Sequence, residues 1–288
     1  MMKRFLKTAL PIFILIGLSS WILMEGDEGH FVFLRGKKQY VLVEGTGGPT
    51  VIFITGKGDS QTEFKKVYNK IKKTTQIFSY DRAGIGQSQS LKNERTVDTM
   101  AVELNNLLVK DNIKPPYIIV GHSLGSYVMR CFADMYPSKV VGLVFVEPAH
   151  EYEFQHGLEL RVDSDKIAFK QQYKSYLKVK GRSKGHNEES KHCFDYDSLG
   201  FSSNQRIIKK LKLPTTIPLT VLLSSFPELD NDYIKKEIEY KINYFQNWKT
   251  INPQTTIIVT NKSGYFIQKN EPDLVIDAIT EMISKVKK

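Results

Sequence analysis

The chain has 288 residues, 41% of them hydrophobic and 25% charged, with a formal net charge of +10 at pH 7. These proportions fit one large globular domain or two small ones, each with a sizeable core. Two cysteines, Cys131 and Cys193, exclude a disulfide framework, and neither a C-x-x-C nor an H-x-x-x-H spacing points to a metal. The basic excess is lysine scattered along the chain rather than arginine in one block. With no nucleic-acid motif beside it, it reads as a solvated surface, and attraction to an anionic membrane is the better expectation.

Lys3, Arg4 and Lys7 precede an apolar run from Thr8 to Met24, interrupted by Pro11, Gly17, Ser19 and Ser20. A positive flank before a hydrophobic segment is the layout of a signal peptide or a membrane anchor, here over residues 1–25. The run is at the short edge of a membrane span, and the basic flank places the rest of the chain outside the cytoplasm.

From residue 30 onward, short β-rich runs alternate with helical stretches. Phe31–Leu34 and Gln39–Glu44 predict a hairpin. Thr50–Ile54, Gln76–Tyr80, Tyr117–Val120, Val140–Val146, Leu219–Ser224 and Thr255–Val259 predict buried strands. Helices are expected over Phe64–Lys72, Thr96–Asp111, Ser126–Tyr136, Tyr233–Tyr244 and Glu271–Lys285, the last with Pro272 near its start. Strands alternating with helices imply a mostly parallel sheet covered on both faces, with its site at the carboxyl ends of the strands. Residues 149–213 break the alternation. They are rich in Lys, Glu, Tyr and Ser, and read as a helical cap or lid over that edge.

The most informative stretch is Gly121-His122-Ser123-Leu124-Gly125, which follows a strand-like run and precedes a helical one. This G-x-S-x-G pattern is a nucleophile elbow, a sharp strand-to-helix turn that exposes a serine hydroxyl. It also aims the first N–H groups of the following helix at negative charge developing beside that hydroxyl.

Together with four further stretches, the elbow carries a family resemblance. Val51–Ser60, Tyr80–Ser88, Pro115–Gly125, Leu143–Glu151 and Ser263–Ile279 are similar to motifs of the α/β-hydrolase superfamily, in particular its esterase-like members. The resemblance runs from about Phe31 to the C-terminus. It implies an α/β-hydrolase domain over residues 30–288, a small-molecule ester or acyl substrate, and no cofactor. It makes Ser123 the nucleophile and gives the oxyanion to the N–H of Leu124 and to that of Gly56 or Lys57, with the Lys57 side chain facing solvent. Asp81 and Arg82 are implied to hold loop backbone, and His122 to pack.

In one respect the chain departs from that family. The position of the family's catalytic histidine, in a Ser-Gly-His stretch after the last strand, holds Tyr265, while Glu271–Ile279 continues the pattern. An unperturbed tyrosine titrates near pH 10 against about 6.5 for histidine, so at neutral pH it is a proton donor and a poor base. Three readings stay open: a weak hydrolase, a protein that binds without turnover, or a site where His150 substitutes as base. The acid is open too, with Glu147, beside Pro148 at a strand end, preferred over Asp230.

Overall fold

The computed structural model describes residues 29–91, 95–152, 201–225 and 232–287. The N-terminal segment 1–25, most of the cap 149–213 and Asp230 lie outside the described residues, and so does Cys193.

Eight strands form one sheet: β1 His30–Leu34, β2 Lys37–Glu44, β3 Thr50–Ile54, β4 Ile77–Tyr80, β5 Tyr117–Ser123, β6 Val140–Pro148, β7 Leu219–Ser224 and β8 Thr255–Thr260. Their order is β1-β2-β4-β3-β5-β6-β7-β8. β1 with β2 and β2 with β4 pair antiparallel; every later pairing is parallel. The described α-helices are α1 Lys65–Ile71, α2 Val97–Lys110, α3 Leu124–Met135, α4 Phe201–Ile208, α5 Asp232–Gln246, α6 Trp248–Ile251, α7 Ile267–Asn270 and α8 Pro272–Val286.

The central strands read as unbroken apolar runs because both their faces are covered. Alternate side chains divide between two cores. Ile52, Ile54, Ile119, Leu143, Phe145 and Val221 pack toward α2, α3, Ile208 of α4, Phe245 of α5 and Trp248 of α6. Val51, Phe53, Ile118, Val120, Val144 and Leu222 pack toward α1, Ile267 of α7 and α8. The period of two along each strand makes this partition, since a slip of one residue would exchange the two sets.

Four elements extend or appear where sequence periodicity gives no sign of them. β5 continues three residues past Val120 and β6 two past Val146, because their parallel pairing persists until Ser123 lies opposite Pro148. The register shifts between His122 and Ser123. α3 then starts directly at Leu124, with no linker, which is the tight geometry of the elbow. α6 and α7 are single turns, too short for a helical pattern to show. The end of the 149–213 excursion belongs to the core: Ile208 is fully buried, and the Asn204 side chain accepts the Val97 N–H at 2.9 Å, starting α2.

Cys131 sits on the buried face of α3 with a free thiol. Burial, reinforced by Asp98, pushes that thiol from 9.0 up to about 12, which marks it as a small core residue rather than a reactive one.

Candidate active site

Ser123 closes β5 with φ 50° and ψ −117°, in a region that non-glycine residues enter only under constraint. The constraint is visible on both sides. The Ser126 hydroxyl donates to the Ser123 carbonyl at 2.5 Å. A Cβ at Gly121 would stand 2.8 Å from the Gly125 carbonyl oxygen, and one at Gly125 would strike the Ile54 carbonyl. Both glycines are therefore required by close backbone approach. The turn leaves Ser123 half-buried, beside the first residue of α3, Leu124, whose N–H belongs to the orphan donors of the helix start.

The loop after β3 is held by Arg82, a residue only 2% exposed. Its Nη1 donates to the Thr55 carbonyl at 2.7 Å and to Thr55 Oγ1 at 3.0 Å, and its Nη2 donates to the Gly56 carbonyl at 2.5 Å. In a trans peptide the N–H points opposite to the carbonyl. Fixing the Thr55 and Gly56 carbonyls on Arg82 thus turns the N–H groups of Gly56 and Lys57 away from it. The Lys57 side chain is half-buried. Asp81 anchors the neighbouring loop, accepting from the Gln61 N–H at 2.7 Å and the Gln87 N–H at 2.9 Å.

The structure brings Tyr265 to Ser123: the Tyr265 hydroxyl donates to Ser123 Oγ. Among the described residues this is the only side chain bonded to that oxygen. The loop carrying Tyr265 leaves β8 and is pinned by Ser224 Oγ, which donates to the Ser263 carbonyl at 2.6 Å. Glu271 Oε2 closes its base, accepting from Thr260 Oγ1 at 2.6 Å and Ser263 Oγ at 3.2 Å. His122, fully buried, holds the middle of the loop. Its Nε2 lies 3.2 Å from the Tyr265 carbonyl, so that nitrogen carries the proton. Its Nδ1 lies 3.9 Å from Asp59 Oδ2, and its ring meets the Tyr265 ring edge-on at 4.8 Å. No sequence signal marks Asp59 as the carboxylate beside this histidine.

Glu147 stands at the carboxyl end of β6 with φ 41°, its side chain 3% exposed. One carboxylate oxygen accepts the Ser224 N–H at the end of β7, and the other accepts Lys241 Nζ from α5. Lys241 carries no sequence signal of its own; an exposed helical lysine and this buried partner look alike until α5 is placed.

Among the described residues no hydrogen bond joins His150 to Ser123. His150 is buried and stacked on Tyr244 at 5.0 Å, with Tyr240 at 5.6 Å and the Phe245 edge at 6.3 Å. Next to it, Arg130 pairs with Glu151 at 3.1 Å and lies 5.5 Å from the Trp248 ring. Burial, then the Glu151 charge, raise the Tyr244 hydroxyl well above its ordinary range. This aromatic and ionic cluster ties the chain leaving β6 to α3 and α5. Among the described residues no group of three or more His, Cys, Asp or Glu is gathered to hold a metal ion.

Comparison with known proteins agrees with this architecture. Residues 49–257 match the family model of the alpha/beta hydrolase fold. The chain is 37% identical over 106 residues to the uncharacterized protein YqjL of Bacillus subtilis (strain 168), covering 37% of this chain and 42% of that one. It is 33% identical over 127 residues to YbdG of the same organism, covering 43% of this chain and 39% of that one. The matches thus span about two fifths of these curated relatives' length. Among solved structures, a thermophilic esterase from Thermogutta terrifontis superposes with a TM-score of 0.64 at 19% identity, covering 91% of this chain and 100% of that one. With its eight-stranded, mostly parallel sheet, its covering helices and a family match over more than half its length, the chain belongs to the α/β-hydrolase fold family.

Proposed function

We propose that this protein is a serine hydrolase of carboxylic esters, slow because Tyr265 stands where a histidine base would serve. The observation that carries the reading is the strained, half-buried Ser123 at the N-terminus of α3, its Oγ bonded by the Tyr265 hydroxyl. In the reaction, Ser123 Oγ attacks the acyl carbon. The developing oxyanion is stabilised by the N–H of Leu124 and by that of Gly56 or Lys57 in the Arg82-held loop. Glu147 or Asp230 would orient a base. Tyr265 presents a proton to Ser123 instead of removing one, and a missing triad member costs several orders of magnitude in rate. With p-nitrophenyl butyrate, slow turnover is expected that Ser123→Ala abolishes; turnover unchanged by that substitution rejects the reading.

A second reading, binding without turnover, is favoured by the same hydrogen bond, since a donor on Oγ holds the serine in its unreactive form. The Tyr265→His substitution separates the two.

We further propose that the apolar run Thr8–Met24 attaches the chain to a membrane outside the cytoplasm. Among the described residues no helix is long and apolar enough to cross one. In support, the edge strand β1 exposes Phe31 (43%) and Phe33 (54%), with Lys38 Nζ 5.6 Å from the Phe31 ring, an aromatic and basic pairing suited to a lipid headgroup layer. Deleting residues 1–24 is expected to move the protein from the membrane to the soluble fraction. Undiminished membrane retention would reject the attachment.

A further inference from the structure

We propose that Ser123, once acylated, is discharged by nucleophiles that need no deprotonation, namely neutral amines and thiolates, in preference to water, so that the site transfers acyl groups rather than hydrolysing them. This rests on Ser123 being the nucleophile and concerns the fate of its acyl form.

Discharge of an acyl-serine has two requirements. The attacking atom must present a free electron pair, and the departing Oγ must receive a proton. The site answers them unequally. Tyr265 already directs its O–H at Ser123 Oγ, which equips it to protonate that oxygen as the C–Oγ bond breaks. For the other requirement the described side chains around Ser123 offer little. His122 uses Nε2–H on the Tyr265 carbonyl, both Glu147 oxygens are taken by Ser224 and Lys241, and His150 is stacked on Tyr244. Water must lose a proton as it attacks, and general-base assistance of that step contributes typically about 10²–10⁴-fold. A neutral amine attacks through its lone pair and sheds its proton afterwards, and a thiolate has none to shed. Both therefore escape the deficiency that Tyr265 creates.

The step balances without a co-reactant. The amine nitrogen bonds to the acyl carbon, the C–Oγ bond breaks, and Oγ takes the phenolic proton of Tyr265. The proton then lost from nitrogen returns to the tyrosinate directly or through solvent, leaving an amide and the free serine; with a thiolate the product is a thioester, and solvent alone reprotonates the tyrosinate. Acylation itself is confined to activated donors, aryl esters or thioesters, whose weakly basic leaving groups depart without an acid while solvent takes the serine proton.

The full-length protein with p-nitrophenyl acetate tests this, followed by p-nitrophenolate release, intact mass and peptide mapping, with hydroxylamine as the amine. A burst of one p-nitrophenolate per chain is expected, leaving a single acetyl group on Ser123 that decays slowly in buffer. Hydroxylamine should speed its loss about 100-fold or more over buffer, yielding acetohydroxamate, and Tyr265→Phe should slow that aminolysis about 10-fold by removing the acid. Heat-denatured acetyl-protein sets the uncatalysed rate. Steady hydrolysis with no acetyl-protein accumulating overturns the inference while leaving the ester-hydrolase reading intact. Native acetyl-protein that hydroxylamine discharges no faster than the denatured form also overturns it. No p-nitrophenolate release above the buffer rate, with no acetyl on Ser123, rejects both.

Discussion

Tyr265→His is expected to raise ester turnover by about 10²–10⁴-fold, the usual contribution of a positioned general base. The Tyr265 hydroxyl already bonds Ser123 Oγ, so a side chain at this position faces the nucleophile. The loop bearing it is fixed through Ser263, Glu271 and the His122 contact to the residue 265 carbonyl, none of which depends on the phenol. An imidazole is smaller than the phenol and should fit between Ser123 and the His122 ring, now 4.8 Å from the tyrosine ring. The gain should appear in kcat and follow a sigmoid in pH, low below and full above an ordinary histidine titration near 6.5. The measurement is a kcat profile from pH 5 to 9 alongside circular dichroism. A folded variant with no gain would mean that the site lacks more than its base, and the binding reading would replace the hydrolytic one.

The second large effect concerns stability. Lys241→Met should destabilise the fold by about 3–5 kcal/mol, because it strands a buried carboxylate whose remaining partner is one backbone N–H. The Glu147 side chain is 3% exposed and that of Lys241 19%, so the pair is shielded from solvent more than an ordinary surface ion pair. Adding Glu147→Gln should recover most of the loss, since the amide oxygen can still accept the Ser224 N–H without carrying charge. Urea unfolding of the two single variants and the double variant measures the coupling. A loss below about 1 kcal/mol for Lys241→Met would show the pair to be no more than a surface contact. In a Tyr265→His background, faster turnover on adding Lys241→Met would assign Glu147 as the carboxylate that orients the new imidazole.

Much of this architecture is legible in the chain itself. Thr50–Ile54 and Leu219–Ser224 fall at their expected bounds, because strands covered on both faces leave an unbroken apolar signature between polar breaks. The elbow is legible for another reason: close backbone approach admits no Cβ at Gly121 or Gly125, so local geometry is written into residue identity. Arg82 is legible only in part. Its stretch reads as a structural loop, but the three bonds that orient the Thr55 and Gly56 peptides depend on β3 lying beside β4.

The fold class, the position of the elbow and the tyrosine where the family carries histidine can all be read from the chain, because each is recorded in local pattern or in the identity of one residue. Tertiary structure alone decided the partners. Lys241 reaches Glu147 across 94 positions, and Tyr265 reaches Ser123 across 142, because β5, β6, β7 and β8 lie side by side and bring their carboxyl ends to one edge. The same packing commits His150 to an aromatic stack and His122 to the Tyr265 carbonyl. Which side chain faces the nucleophile depends on strand order and register, and no local stretch of residues encodes either.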